Sequence, residues 1–234
     1  KALGAVIHNQ YFWAVFMLWM MQNVIQTVPA TMLPYYCKYI FGNDSWLYST
    51  LYFMEIAILI VATLGCPALL KRFGKRNMSL AGACVALAGQ LLFFLNPRSL
   101  PWLVMSCVIR ALGMAPLNSV VFGMVGDVVE FGQWKTHLRQ EGLIFACGSL
   151  GTKIGGGVSA ALMTGLLSFA GYISSTGNFV NQPESAIKMI IDIYKFGPVI
   201  IWILVIITLT LYKLDKIYPS IMDQLAEREA RGEL

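Results

Sequence analysis

The sequence predicts an all-α, polytopic membrane protein with six transmembrane helices. Of its 234 residues, 57% are hydrophobic and only 12% are charged, whereas soluble domains average about 25% charged residues. Apolar stretches of about 20 residues, long enough to cross roughly 30 Å of hydrocarbon, recur along the whole chain. These stretches lack two-residue alternation, so helices rather than a barrel are expected to satisfy their backbone polar groups.

Six apolar windows separated by turn or charge signals are the candidate spans. They cover residues 11–36, 46–70, 78–95, 101–125, 142–171 and 197–214. Residues 183–196 place apolar side chains at helical spacing beside charged ones, which predicts a separate short helix at the outer membrane interface. After the six-helix bundle of residues 1–214, residues 215–234 predict a cytoplasmic amphipathic tail, with an apolar face formed by Ile217, Ile221, Met222 and Leu225.

The positive charges predict the orientation, taking alternate loops as one side of the membrane. One side carries Lys38, Arg98, Lys188 and Lys195. The other carries Lys1, Lys71, Arg72, Lys75, Arg76, Lys135, Arg139, Lys213, Lys216, Arg228 and Arg231. Both ends of this chain are therefore expected in the cytoplasm, with the protein multi-pass in the cell membrane. The net charge of +5 is explained by topology, and no nucleic-acid partner is expected, because the charges are divided among loops.

Three ionisable side chains fall inside predicted spans, where each one is costly and is therefore a functional candidate. Glu55 and Arg110 each lie nine residues from the outer ends of their spans, roughly 13 Å deep. They are expected to neutralise each other, either only to fix helix register or to serve binding or coupled movement. Lys153 lies near the midplane without an obvious acidic partner, which favours a role in a binding site or ion path.

Polar side chains in the first, fourth and fifth spans complete the candidate substrate and coupling site. Gln22 and Gln26 belong to a polar wedge that is expected to face other helices or a water-filled cavity. Asn118 lies in the fourth span, and Ser149 lies one turn before Lys153. The alternative is that these amides and hydroxyls only bond helices to one another.

Signals for enzymatic chemistry are weak. The five cysteines form no CxxC motif and the two histidines are far apart, so neither a metal site nor a cofactor is expected. An intramembrane enzyme using Glu55 and Lys153 as acid and base is one alternative, although no nucleophile accompanies them. A six-helix channel is another, although no filter sequence lies between spans. The chain begins at Lys1 without a signal peptide and is expected to be a piece of a longer protein.

The segment 126–142, GDVVEFGQWKTHLRQEG, resembles the signature loop of the glycoside, pentoside and hexuronide cation symporters, the melibiose-permease family of the major facilitator superfamily. That family's loop joins helices ten and eleven and is followed by a helix that carries a lysine at the place of Lys153. The sequence KRFGKR at 71–76 is similar to the family's basic loop between helices eight and nine, and YPSI at 218–221 is typical of its tail. His137 departs from the pattern, since many members have glycine there.

The resemblance implies that the chain is the C-terminal half of a twelve-helix transporter, with its spans corresponding to helices seven to twelve. It implies symport of a sugar or glycoside with H⁺ or Na⁺ by alternating access, and a missing N-terminal six-helix half as partner. Lys153 is expected near the sugar and coupling-cation sites. The charges expected to pair with the missing half and hold the cytoplasmic gate are Asp127, Glu130, Arg139 and Glu141.

Overall fold

A computed structural model describes residues 2–42, 46–174 and 180–231, and within these ranges the regular structure is entirely helical. Lys1 and positions 232–234 of the predicted tail lie outside the described residues. Three helices, α3, α5 and α7, are long and apolar enough to cross a membrane. The helices are α1 (Ala2–Ile7), α2 (Gln10–Ile40), α3 (Trp46–Phe73), α4 (Lys75–Leu92), α5 (Leu100–Thr136), α6 (Glu141–Phe169), α7 (Glu184–Leu211) and α8 (Leu214–Ala230).

Each predicted span overlaps one of the helices α2 to α7, but α5 is longer than expected. It continues to Thr136 rather than ending at 125, so the first part of the predicted loop 126–141 is helical. The continuation buries Val128, Val129 and Phe131, which gives this segment an inward apolar face. The helix then ends at His137, whose φ of 57° is left-handed and whose backbone N–H donates to the Gln133 carbonyl.

The prediction of a separate interfacial helix at 183–196 is wrong, because α7 is one continuous helix through Pro198. Its buried face runs from Ile190 and Tyr194 to Trp202 without interruption. Packing against α2 and α4 supports the helix across the proline, as neighbouring helices commonly do in membrane bundles. The charges that favoured an interfacial helix, such as Lys188, lie on the opposite, solvent-accessible side.

Close contact between α4 and α5 is possible because glycines face each other where the helices cross. A Cβ atom added at Gly113 would lie 2.3 Å from the Ala86 backbone nitrogen, and one added at Gly82 would lie 2.5 Å from the Gly113 carbonyl oxygen. Backbone therefore touches backbone at this crossing, and no side chain could be accommodated there.

The α2–α6 interface uses glycines in another way, since large side chains of α2 fill the space that α6 leaves open. The ring of Trp19 lies over Gly148, where an added Cβ would be 2.0 Å from the ring. The ring of Phe16 covers Gly151 in the same manner, at 2.7 Å. One face of α6 is thereby fixed against α2, and the opposite face is left free for other contacts.

The tail helix α8 packs against the C-terminal end of α5. Ile221 and Leu225 are buried, whereas Ile217 and Met222 of the predicted apolar face remain 41% and 37% exposed. The Trp134 indole N–H donates to Gln224 Oε1 at 2.8 Å. The apolar contact is therefore narrower than the sequence pattern predicted and is supplemented by hydrogen bonds.

We expect Gly113→Ala to lower the thermal stability of the protein and Gly126→Ala to leave it unchanged or raise it. The new methyl at Gly113 would collide with the α4 backbone, and such overpacking costs about 1–3 kcal/mol. Gly126 lies on the same helix with open space around it, so alanine there brings only its better helix propensity, about 1 kcal/mol. Thermal unfolding of the detergent-purified variants measures both effects, and equal melting temperatures would contradict the close crossing.

Candidate functional site

The centre of the polar interior is the ion pair between Arg110 on α5 and Glu55 on α3. Arg110 Nε lies 3.0 Å from Glu55 Oε1, and Nη2 lies 3.0 Å from Oε2. The Arg110 side chain is 1% exposed and that of Glu55 is 20% exposed. The structure thus brings together the two charges that were expected to neutralise each other, in the bidentate geometry that guanidinium and carboxylate groups favour.

Side chains of two further helices, α4 and α7, accept hydrogen bonds from the guanidinium. Arg110 Nη1 donates to Gln90 Oε1 on α4 at 3.1 Å, and Nη2 donates to the Tyr194 hydroxyl on α7 at 3.3 Å. Gln90 Nε2 in turn donates to the Tyr194 carbonyl at 2.7 Å. Sequence reasoning missed Gln90 and placed Tyr194 only in an interfacial helix. The signal in the sequence that could have indicated Gln90 was its position as an amide next to Gly89 within an apolar segment.

The polar wedge of α2 divides between two environments. Gln22 is buried, and its Nε2 donates to Asn118 Oδ1 on α5, which brings two of the predicted site residues together. Its Oε1 is buried without a hydrogen-bond partner among the described residues. Gln26, one turn further along, is exposed and lines a small cavity together with Glu55 and Arg110.

Lys153 and Ser149 share the side of α6 that points away from the α2 interface. Both are exposed, and no hydrogen bond or ion pair joins Lys153 to another described residue. Positions 149, 153, 157, 160 and 164 follow one another along this face, and they carry Ser, Lys, Gly, Ala and Thr. The neighbouring side presents Ile154 and Val158, about half exposed, so the polar and the apolar exposed surfaces of α6 are distinct.

The four candidate gate residues fall into two pairs with different surroundings. Asp127 is 4% exposed at its side chain, and its two oxygens accept hydrogen bonds from Lys75 Nζ at 2.6 and 2.7 Å. Glu130 accepts a hydrogen bond from the Tyr218 hydroxyl of α8. Arg139 and Glu141 pair only with neighbours close in sequence, at 3.2 Å between Nη2 and Oε2, and both are more than half exposed.

Tyr218 remains a hydrogen-bond donor over a wide pH range. Burial raises the pKa of its phenol above the ordinary value, and the hydrogen bond to Glu130 and the nearby charge of Asp127 raise it further. Because the neutral phenol is the donating form, its contact between α8 and α5 persists at physiological pH. Lys75 also lies 5.2 Å from the centre of the Tyr218 ring, so the cation, both acids and the tyrosine form one cluster.

Arg76 joins the start of α4 to the end of α7 and the start of α8. Its backbone N–H donates to Asp215 Oδ2 at 2.7 Å. Its guanidinium donates to the carbonyl oxygens of Leu209 at 2.8 Å and Thr210 at 2.9 Å, which are carbonyls at the C-terminal end of α7 that lack helical partners. In the sequence, Lys75 and Arg76 indicated orientation and a basic loop similar to that of the family, but neither pattern predicted these contacts.

A bundle of long apolar helices with a buried ion pair between them is typical of a multi-pass membrane protein. The family model described as MFS/sugar transport protein matches residues 1–216. The chain therefore belongs to this family, and the family expected from the loop signature is confirmed.

Two relatives illustrate the match. The chain is 29% identical over 199 residues to an isoprimeverose transporter of Lactiplantibacillus pentosus, which covers 84% of this chain and 40% of that protein. It is 31% identical over 152 residues to a glucuronide carrier protein homolog of Escherichia coli strain K12, covering 64% of this chain and 32% of that protein. The matches thus cover about a third to two fifths of the length of these relatives. Because the relatives are named as transporters and carriers, the intramembrane-enzyme alternative is set aside.

We expect Arg110→Met to destabilise the protein more than the double change Arg110→Met with Glu55→Gln. The single change leaves an ionised carboxylate between helices without its guanidinium, and breaking a buried pair in this way costs about 3–5 kcal/mol. The double change removes both charges. A double-mutant cycle on thermal unfolding of the purified protein measures the coupling, and strictly additive losses would be incompatible with a direct pair.

Proposed function

We propose that this chain is the C-terminal six-helix half of a secondary transporter that carries a sugar or glycoside across the cell membrane in symport with H⁺ or Na⁺. Family membership and the names of the relatives support the substrate class. The share of the relatives' length that this chain spans leaves room for a second half of similar size. In this arrangement α2 to α7 each cross the membrane, and both ends of this chain lie in the cytoplasm.

The observation that carries the proposal is the uncovered polar face of α6. A lysine at membrane depth is costly in lipid, and Lys153 has no ion-pair partner among the described residues. An aqueous cavity between two halves removes this cost, because water, a substrate or a carboxylate of the other half can meet the ammonium. Transporters of this architecture bind substrate and coupling ions near the membrane midplane, between structural repeats.

The wall of the proposed cavity combines α6 with α2 and α5. Ser149 and Lys153 supply a hydroxyl and an ammonium from α6, and Gln26 supplies an exposed amide from α2. Behind them, the Gln22 and Asn118 pair fixes α2 to α5. Alternating access would then consist of this half rocking against the other around these groups.

At the cytoplasmic end, we assign the gate to Arg139 and Glu141. Their side chains are exposed and bonded only to near neighbours, so they can exchange partners at little cost, as exposed ion pairs are worth about 0–1 kcal/mol. Asp127 and Glu130 are already engaged by Lys75 and Tyr218. Asp127 and Glu130 therefore connect α5 to α4 and α8, and they stabilise the helices next to the exposed Arg139–Glu141 pair.

We expect the complete protein that contains this chain, reconstituted in proteoliposomes, to accumulate a sugar when a Na⁺ or H⁺ gradient is imposed. Lys153→Gln should abolish accumulation against the sugar gradient, because the cavity loses its cation. Lys188→Gln, the same change at an exposed position at the start of α7, serves as the control. Uptake of a panel of radiolabelled neutral and acidic sugars is the measurement, and undiminished uphill uptake by Lys153→Gln would refute the assignment.

We expect Arg139→Gln to reduce the transport rate several-fold while leaving the amount of protein in the membrane unchanged. The change removes the exposed partner of Glu141 without disturbing a buried contact. Arg231→Gln removes another exposed pair, with Glu227 at 3.6 Å, and should leave transport unaffected. Initial uptake rates normalised to surface protein measure the difference, and a parallel fall in rate and abundance would mean that Arg139 serves folding.

A further inference from the structure

A small cavity lies between α2, α3 and α5 on the open side of the Glu55–Arg110 pair. Its volume is about 100 Å³, and the residues around it include Gln26, Tyr52 and Glu55 together with apolar side chains such as Pro29 and Met114. At about 30 Å³ per water molecule, it has room for about three waters, or for the hydroxyl-bearing edge of a small ligand. The cavity therefore presents both polar groups and apolar walls, and its size matches part of a sugar ring.

Arg110 holds the Glu55 carboxylate in a fixed orientation. Each carboxylate oxygen accepts one N–H from the guanidinium at 3.0 Å, and each has further lone pairs available. Since Glu55 is 20% exposed and Arg110 only 1%, the accessible part of the pair is the carboxylate. A rigid carboxylate with unused acceptor sites is suited to receive two neighbouring O–H donors.

Arg110 lines this cavity, but its side chain is only 1% exposed and most of its N–H groups already have acceptors. Beyond the two N–H groups that donate to Glu55, one N–H donates to Gln90 on α4 and one to the Tyr194 hydroxyl on α7. A ligand in the cavity therefore meets chiefly the Glu55 carboxylate, the amide of Gln26 and Tyr52. An anionic group would meet repulsion from the more exposed Glu55 carboxylate, and the guanidinium behind it is buried and largely engaged, whereas hydroxyl groups can donate to the carboxylate and exchange bonds with the amide.

We infer that Glu55 and Gln26 form a subsite that binds neighbouring hydroxyl groups of an uncharged part of the substrate, with the O–H groups donating to the Glu55 carboxylate. This inference rests on the proposed function and deepens it. Any acidic group of a substrate is placed elsewhere, nearer Lys153. Arg110 acts through Glu55 as a positioning residue, since it orients the carboxylate without touching the ligand.

The test compares a transported sugar with its monodeoxy analogues in proteoliposomes containing the complete protein. In the wild type, removing one hydroxyl that donates to Glu55 should raise KM at least tenfold, since a site built to bind a hydroxyl is left with an unpaired buried group. In Glu55→Gln, the parent sugar should bind more weakly and the penalty for that same deoxy position should shrink to less than threefold. Glu184→Gln, an exposed acid at the start of α7, is the control and should keep the wild-type pattern.

Gln26→Leu provides a second variant that leaves the ion pair intact, should Glu55→Gln fold poorly. It should raise the KM of the parent sugar at least threefold without changing the melting temperature. Unchanged discrimination among the deoxy analogues in Glu55→Gln, or an unchanged KM in Gln26→Leu, would overturn the subsite while leaving transport itself established. A wild-type protein that transports none of the sugars would overturn both the subsite and the proposed function.

Discussion

The arrangement of the helices depends on one requirement, that a guanidinium excluded from water must have acceptors for its N–H groups. Arg110 meets it with side chains from α3, α4 and α7. These bonds have direction, whereas apolar contacts between helices in a membrane have little, so the guanidinium fixes how four helices are rotated relative to one another. The glycine crossing of α4 and α5 then brings Gln90 close enough to serve as one of the acceptors.

The sequence predicted features that depend on local interactions better than features that depend on residues distant in the chain. Apolar length located a helix for each of the six windows, and helical spacing with equal depth brought Glu55 and Arg110 together before any geometry was known. The ends of the helices were harder to predict from the sequence. The charges around Lys188 suggested an interfacial segment, yet the inward face of α7 continues past Pro198, and only packing against α2 and α4 reveals this continuity.

Charged residues near the helix ends illustrate the same difference. The positive charges of Lys75 and Arg76 contributed to the predicted orientation as part of a pattern of alternate loops, but their individual bonds could not be predicted. Lys75 contacts Asp127, which is 52 positions away, and Arg76 contacts carbonyls more than 130 positions away. Such contacts can be predicted only once the topology of the helices is known. The same limit explains why the sequence did not reveal that Asp127 has a partner, Lys75, within this chain.

The length of α5 has a mechanical consequence. Its 37 residues extend about 55 Å at 1.5 Å per residue, which exceeds the 40–45 Å of a bilayer including its headgroups. The excess carries Trp134, whose indole and carbonyl are bonded to Gln224 and Arg228 of α8. A rod pivoting near its middle moves most at its ends, so a small tilt beside Asn118 becomes a larger sweep of the tail. Because α8 is bonded to this end of α5, a tilt of α5 would be transmitted to the tail helix.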